Sequence, residues 1–445
     1  MIFPAPPRLN FIHVAKCGGT SVKLTIENLY DKSEIYPYHF TWQLYELGPL
    51  DPRPYRLVMG HLGLVPWRSR GGVPENTFTW LREPRQRMVS SFTFQKQRRR
   101  IPADLVFEDW LAQRIEERGY LPSLIGWLLC GAMFRVGTST LNFPEPFRER
   151  LRRQDQLLAD EAMEVLDRCP MVGLTERFAD SMNLLHFLLD ALPAFTWPVA
   201  NRTLDPFQGA AQAYPEALEE YTRLDQQVYR HGCALFQARY REMKSVLGMS
   251  AGPASEEPEE EISRIRDKLR ARFFRRHESV PLKEDIHYTF ERRMIGSGWH
   301  EREHLESGEP EYGVWRWIDP ETGADIYFPL SGETALTIYL GVCHVAKPGF
   351  FGQLEVAING VPIALAQAED RHARLYSQCV LKGDIDQSVL RKVKGLSRIA
   401  FDCRPYAVPA DENPESLDFR KLNVALNWIA IRPKDHTGLI GDRQP

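Results

Sequence analysis

Six consecutive residues near the N-terminus, Lys16, Cys17, Gly18, Gly19, Thr20 and Ser21, carry the parts of an anion cradle. Glycines let the backbone approach a charged oxygen closely. A helix start offers unpaired N–H groups and the positive end of a dipole, and lysine adds a full charge. A phosphate or sulfate ester suits such a loop. The nucleotide-triphosphatase loop, G-x-x-x-x-G-K-[ST], sets its lysine directly before the hydroxyl. Here Lys16 precedes the glycines, so that motif is absent. A second spelling, "HEREH" at His300–His304, satisfies the zinc-protease pattern H-E-x-x-H, which needs both histidines on one helix face. "GSGW" before it, "LESGEP" after it and strand-like neighbours argue against that helix, and we expect no metal.

The elements that must position the loop are short. Leu9–Val14 reads as a strand. Ser21 reads as the hydroxyl cap of a helix with Val22, Ile26 and Leu29 on one face. Arg56–Met59 and Thr77–Leu81 are strand-like, and Arg85–Gln97 is helix-like after Pro84. Strands alternating with helices predict a mainly parallel α/β sheet flanked by helices. Helical patterns follow over Asp104–Leu129 and Leu151–Leu192, with a strand in "CPMVGLTERF", and a long helix runs from Pro215 to about Leu247. Residues 248–285 read as a linker and a bracing helix. Within them "GMSAGPASEEPEEE" has linker composition, and Ile262, Ile265, Leu269 and Phe273 share one helix face opposite Arg264, Lys268, Arg272 and Arg275. That helix either braces two domains or touches an anionic membrane. Short alternating runs separated by turns over 286–435 predict a C-terminal antiparallel β-sandwich, after a first domain of 1–247.

The composition is that of a globular protein: 445 residues, 43% apolar, 26% charged, net charge −3. It gives no global attraction to nucleic acid. Seven scattered cysteines, none in a CxxC spacing, fit free thiols in a reducing compartment. With no signal-like N-terminus and no long apolar run, the chain reads as cytoplasmic and without a membrane span. Cys17 is either a redox-sensitive thiol beside Lys16 or a small residue filling space.

The order of the first loop resembles the 5′-phosphosulfate loop of sulfotransferases, written "PKTGGTS" after a strand. That family implies a second motif, an arginine at a strand end with Pro two and Ser eight residues later. "WLREPRQRMVSSF" supplies Arg82, Pro84 and Ser90 at those spacings. The resemblance implies a P-loop-like α/β fold and 3′-phosphoadenosine-5′-phosphosulfate (PAPS) as donor, with 3′-phosphoadenosine-5′-phosphate (PAP) as product. Lys16, Cys17, Gly18, Gly19, Thr20 and Ser21 would hold the 5′ end, Arg82 and Ser90 the 3′-phosphate. The structural alternative has Arg82 capping a helix and Ser90 facing solvent.

"FIHVAKCGGTS", "VMGHLGL" and "MVGLTERFADSMNLLHFLLDAL" further resemble the heparan sulfate and uronyl 2-O-sulfotransferase branch, over about residues 9–245. This implies catalytic roles for Lys16, at the leaving 5′-phosphate, and for His61, as general base toward a carbohydrate hydroxyl. Ala15 and Cys17 stand where the family has Pro and Thr, and "SLIGW" (Ser123–Trp127) lacks its Asn, Gln and Arg. His39 and "QKQRRR" (Gln95–Arg100) either face an acidic or polyhydroxylated acceptor or are solvated. "GSGWHERE" followed by "GVWRWI" resembles a β-sandwich module of bacterial polysaccharide-assembly enzymes. In it Trp299, Trp315 and Trp317 either stack on sugar or fill a core. The alternatives are a lipid, small alcohol or phenol as acceptor, or an inactive glycan-binding protein.

Overall fold

The computed structural model describes residues 7–67, 75–121, 123–131, 145–193, 216–249, 258–304, 313–368, 379–391, 394–413, 415–416 and 418–434. Residues 250–257 of the linker expected at Gly248–Glu261, the helix start at Pro215 and the limit at 435 lie outside these residues. The first half runs β1 (Leu9–Ile12), α1 (Gly19–Glu27), α2 (Thr41–Glu46), β2 (Leu57–Gly60), β3 (Thr77–Leu81), α3 (Pro84–Gln97), α4 (Phe107–Arg118) and α5 (Leu124–Leu129). It continues with α6 (Glu145–Arg152), α7 (Gln156–Asp167), β4 (Met171–Leu174), α8 (Phe178–Leu189), α9 (Glu216–Tyr221) and α10 (Arg223–Val246).

β1 to β4 form one parallel sheet in the order β2-β1-β3-β4. Every residue of all four strands is buried, as in a parallel sheet covered by helices on both faces. The chain leaves β1 toward β2 on one side and β3 toward β4 on the other. Neighbouring β1 and β3 therefore part company at their C-terminal ends, which is where open α/β sheets offer a ligand crevice. Two expectations needed correction. The first helix starts at Gly19, capped by Gly18 in the left-handed conformation with no side-chain bond, rather than at a Ser21 hydroxyl. The long helix is broken at Thr222, whose hydroxyl donates back to the Leu218 carbonyl at 2.7 Å.

α11 (Pro258–His277) buries Ile265, Leu269 and Phe273. The Asn183 side chain of α8 donates to the Ile262 carbonyl, while Arg270 donates to Pro193 O at 2.6 Å and to the Tyr327 hydroxyl at 3.1 Å. Its apolar face is packed inside the protein, and these bonds reach residues of both halves. Among the described residues no helix is long and apolar enough to cross a membrane.

Beyond α11 come β5 (Ile286–Thr289), β6 (Gly296–Ser297), β7 (Arg316–Trp317), β8 (Ala324–Phe328), β9 (Leu336–Val345), β10 (Glu355–Ile358), β11 (Val361–Ile363), β12 (Ala366–Gln367), β13 (Cys379–Ile385), β14 (Ser397–Asp402) and β15 (Val424–Pro433). They make two antiparallel sheets, β11-β10-β14-β8-β6 and β12-β13-β9-β15-β5 with β7 on β15. One apolar cluster joins residues of both, from Ile326 and Phe401 to Leu340 and Ile429. Trp299, Trp315 and Trp317 are at most 8% exposed, so they fill cores rather than offer faces to sugar. "HEREH" is extended, with Trp299 bridged to Ile318 and Glu303 to Trp315, so its histidines do not share a helix face.

The two halves meet along the C-terminal end of α1. Arg316 reaches Glu27 at 3.3 Å, both buried. Arg293 bonds Asp31 and Glu34 together, and the Met294 amide donates to Asn28 O at 2.7 Å.

Candidate active site

Four chain segments end at the C-terminal edge of the parallel sheet, and one hydroxyl ties three of them. Thr175, directly after β4, has its Oγ1 2.8 Å from the Cys17 carbonyl and 3.0 Å from the Leu81 carbonyl. The loop it holds is tightly curled. Lys16 has φ +67° and Gly18 φ +75°, a conformation that costs a side-chain-bearing residue roughly 1–2 kcal/mol. At Gly19 an added Cβ would lie 2.2 Å from the His13 ring. The loop and the histidine thus fit only because that side chain is missing. Thr20 and Ser21 sit in the first turn of α1, Ser21 buried.

Cys17 is fully buried, and burial pushes its thiol up to about 12. A redox-sensitive thiolate is excluded by that environment; the residue fills space.

The first turn of α1 carries no acidic residue. At α3, by contrast, Glu83 accepts from the Gln86 amide at 2.8 Å and occupies the helix N-terminus itself. The cap is therefore Glu83 and not Arg82. Arg82 Nε is buried with no hydrogen-bond partner among the described residues. Ser90 lies on the second turn of α3 and is buried, not solvent-facing.

Lys16 Nζ stands 3.7 Å from the centre of the Phe94 ring. Burial lowers its pKa to about 8, and Arg82, Arg98 and Arg100 lower it too; no carboxylate is among its strongest electrostatic neighbours. Two of those arginines are brought in by the end of α3. Arg99 adopts φ +52° and the Arg100 amide donates to Gln95 O, a Schellman-type closure that turns Arg98 and Arg100 over Phe94 at 5.6 and 5.8 Å. Part of "QKQRRR" thus lies beside Lys16, with Arg98 half-buried and Arg99 and Arg100 exposed.

His61 follows β2 on the other side of β1. Its Nδ1 lies 2.6 Å from the His13 carbonyl and must donate there, so Nε2 keeps its lone pair. The ring is packed against His13 at 4.1 Å, Trp127 at 5.0 Å and Phe40 at 5.4 Å between centroids. Burial, with His39, Lys23 and Lys16 nearby, holds it down to about 4, so it is neutral at pH 7. His39, held low chiefly by burial, completes this group.

Trp127 is set by α5. Ser123 caps that helix at 2.9 Å, and the buried Asp225 of α10 accepts from the Leu124 and Ile125 amides at 2.7 and 3.3 Å. Where α5 ends, an added Cβ on Gly131 would sit 2.4 Å from the Leu62 backbone. Only glycine lets the two chains pass.

Of the residues expected from sequence, Lys16 and the glycines lie beyond the C-terminal end of β1 and Arg82 beyond that of its neighbour β3, with His61 one strand away after β2. Thr175, Phe94 and Asp225 were missed. Thr175 had a signal, being the first polar residue after a buried strand like Lys16, His61 and Arg82. Phe94 and Asp225 act only through tertiary contact. A cavity of about 250 Å³ lies apart from this site, between α1, α8, α11 and residues 293–299. Compared with known families and with curated proteins, the chain matches none.

Proposed function

We propose that the protein is a sulfotransferase that moves the sulfuryl group of PAPS to a carbohydrate hydroxyl, on a P-loop-like domain joined to a β-sandwich. The observation that carries this reading is Lys16, beyond the C-terminal end of β1, sharing the Phe94 ring with Arg98 and Arg100 and having Arg82 among its charged neighbours, with no carboxylate among the strongest of them. Such repulsion calls for a polyanion, and PAPS supplies phosphates at both ends.

The α1 amides and Lys16 take the 5′-phosphosulfate. Lys16 meets the bridging oxygen as the S–O bond breaks and charge grows on the departing phosphate. Arg82, with Ser90 behind it, takes the 3′-phosphate. His61 Nε2 removes the proton of the attacking hydroxyl, with the His13 carbonyl fixing the tautomer. The expected substrate is a glycan and the expected location cytoplasmic.

Two measurements test this together. PAP at one hundred times its dissociation constant should stabilise the protein by about 2.7 kcal/mol. Sulfate from labelled PAPS should pass to a cell-extract glycan fraction with the intact protein, while His61→Ala binds PAP and transfers nothing. No stabilisation by PAP, or equal transfer by His61→Ala, removes the reading.

A further inference from the structure

His13, the first residue after β1, places an imidazole between the two working parts of the proposed site. On one side its ring lies 4.1 Å from the His61 ring, centroid to centroid. On the other it lies against the start of α1: a Cβ added to Gly19 would fall 2.3 Å from its Nε2 and 2.2 Å from its Cδ2. The residue is fixed in place. Its ring stacks on Phe11 at 5.5 Å, its amide donates to Gly60 O at 3.0 Å, and its carbonyl accepts from His61 Nδ1 at 2.6 Å. Neither ring nitrogen of this half-buried side chain has a hydrogen-bond partner among the described residues. Burial chiefly, then His61, Lys23, Lys16 and His39, hold its pKa well below the ordinary histidine value, so at pH 7 one nitrogen is a donor and the other an acceptor. An unpaired donor beside a helix N-terminus suits an anion.

We propose that His13 is a second catalytic residue, whose Nε2–H donates to a non-bridging oxygen of the sulfuryl group while that group passes from the 5′-phosphate to the acceptor. This role rests on the transferase reading. Sulfuryl transfer, like phosphoryl transfer, sets the attacking oxygen, the central atom and the leaving oxygen roughly in line. His61 Nε2 must reach the attacking oxygen, and Lys16 with the α1 amides the leaving one. The sulfuryl group therefore passes between them, beside the ring that fills the interval. The S–O bond to the phosphate breaks with its electron pair staying on the phosphate oxygen. The acceptor oxygen forms the new bond to sulfur and gives its proton to His61 Nε2. His13 keeps its own proton throughout, and the bound anion selects the tautomer that carries it on Nε2. A neutral imidazole also adds no charge to a loop where Lys16 is already crowded by Arg82, Arg98 and Arg100.

PAPS and PAP differ only in the sulfuryl group, so their affinities separate a contact to that group from a general effect on the loop. The test measures both dissociation constants, and transfer from labelled PAPS to the glycan fraction, for the full chain, His13→Asn and His13→Gln. Both variants lose the ring and its packing on Phe11 and His61. Only glutamine carries an N–H at the reach of Nε2; asparagine stops at that of Nδ1. We expect His13→Asn to lower kcat about tenfold and to weaken PAPS roughly threefold or more relative to PAP, the worth of one hydrogen bond that holds the group in line. His13→Gln should recover most of both losses. Equal losses in the two variants, or PAPS and PAP weakened alike, overturn the role. Where the full chain still binds PAP and transfers sulfate, that result makes His13 structural and leaves the transferase reading standing. A full chain that binds neither nucleotide, or transfers nothing, removes that reading and the role of His13 with it.

Discussion

The two ends of α1 use the same kinds of side chain to opposite purposes. At its N-terminal end Lys16 is crowded by Arg82, Arg98 and Arg100, and the Arg82 Nε has no hydrogen-bond partner among the described residues. At its C-terminal end three arginines meet groups of opposite charge or polarity, although Arg293 Nη1 and Arg302 Nη1, like Arg82 Nε, have no hydrogen-bond partner among the described residues: Arg316 meets Glu27, Arg293 meets Asp31 and Glu34, and Arg302 donates to Tyr30 O at 2.7 Å. Buried charge in balance joins two halves of a protein. Half-buried and exposed charge of one sign stores repulsion that, on the proposed reading, an anionic ligand would relieve. The contrast is the one expected between a structural joint and the proposed binding site, and it makes no reference to any motif.

The joint should show the larger effect on folding. Arg316 is 1% exposed, and even with burial lowering its pKa to about 10 it stays charged at pH 7. Glu27→Ala leaves that charge unpaired, and we expect a loss of about 3–5 kcal/mol in chemical denaturation. Replacing both partners at once, Glu27→Leu with Arg316→Met, should recover most of it, because two apolar side chains leave no orphaned charge. A double variant as unstable as the single one would mean that the packing around the pair, not its charge balance, holds the halves together.

Much of this arrangement was legible before any coordinates. The period-two and helical runs gave a parallel sheet flanked by helices and, after α11, separate antiparallel sheets, because hydrophobic periodicity is a local property. The loop residues Lys16–Ser21 stood out because glycines between a strand end and a helix start are punctuation in the chain itself, whereas Arg82 and His61 were singled out only through the family resemblance. The helix cap was misplaced because Gly18 replaces a hydroxyl by a backbone conformation that no side chain announces. The tryptophans of the second half could not be sorted into core or surface, since exposure depends on the partner sheet. Arg98, Phe94 and Phe419 meet across more than three hundred residues of chain, and no spacing rule reaches that far.

At the crowded end the expected sign is reversed. Lys16→Met removes a half-buried cation from among three guanidiniums and keeps a side chain able to lie on Phe94, where sulfur and aromatic faces pack well. Folding stability should stay level or rise. Turnover should fall by about 10²–10³, the range for losing one group that meets charge developing in the transition state, and PAP affinity should fall less. A variant destabilised on the scale of Glu27→Ala would show the cluster to be structural and erase the contrast between the ends of α1.

The smallest effect concerns pH and divides the same groups by titration. Transfer through free enzyme needs His61 neutral and Lys16 charged, so kcat/KM should be level between about pH 4 and pH 8 and fall on either side. The acid limb is obscured by folding. His61 and His186 are held by burial at about 4 and about 3, so from near pH 6.5 downward the unfolded chain takes up protons that the folded chain refuses, and stability is lost as pH falls through that window. The alkaline limb is clear of this. It belongs to Lys16, depressed by burial and by its arginine neighbours, and a bound polyphosphate opposes both guanidinium and ammonium charge. With PAPS saturating, the limb seen in kcat should therefore move above pH 8, and in Lys16→Arg, whose guanidinium does not titrate in this range, it should vanish from kcat/KM. A limb that stays near pH 8 in Lys16→Arg would assign it to another group and leave the charge on Lys16 without a part in the reaction.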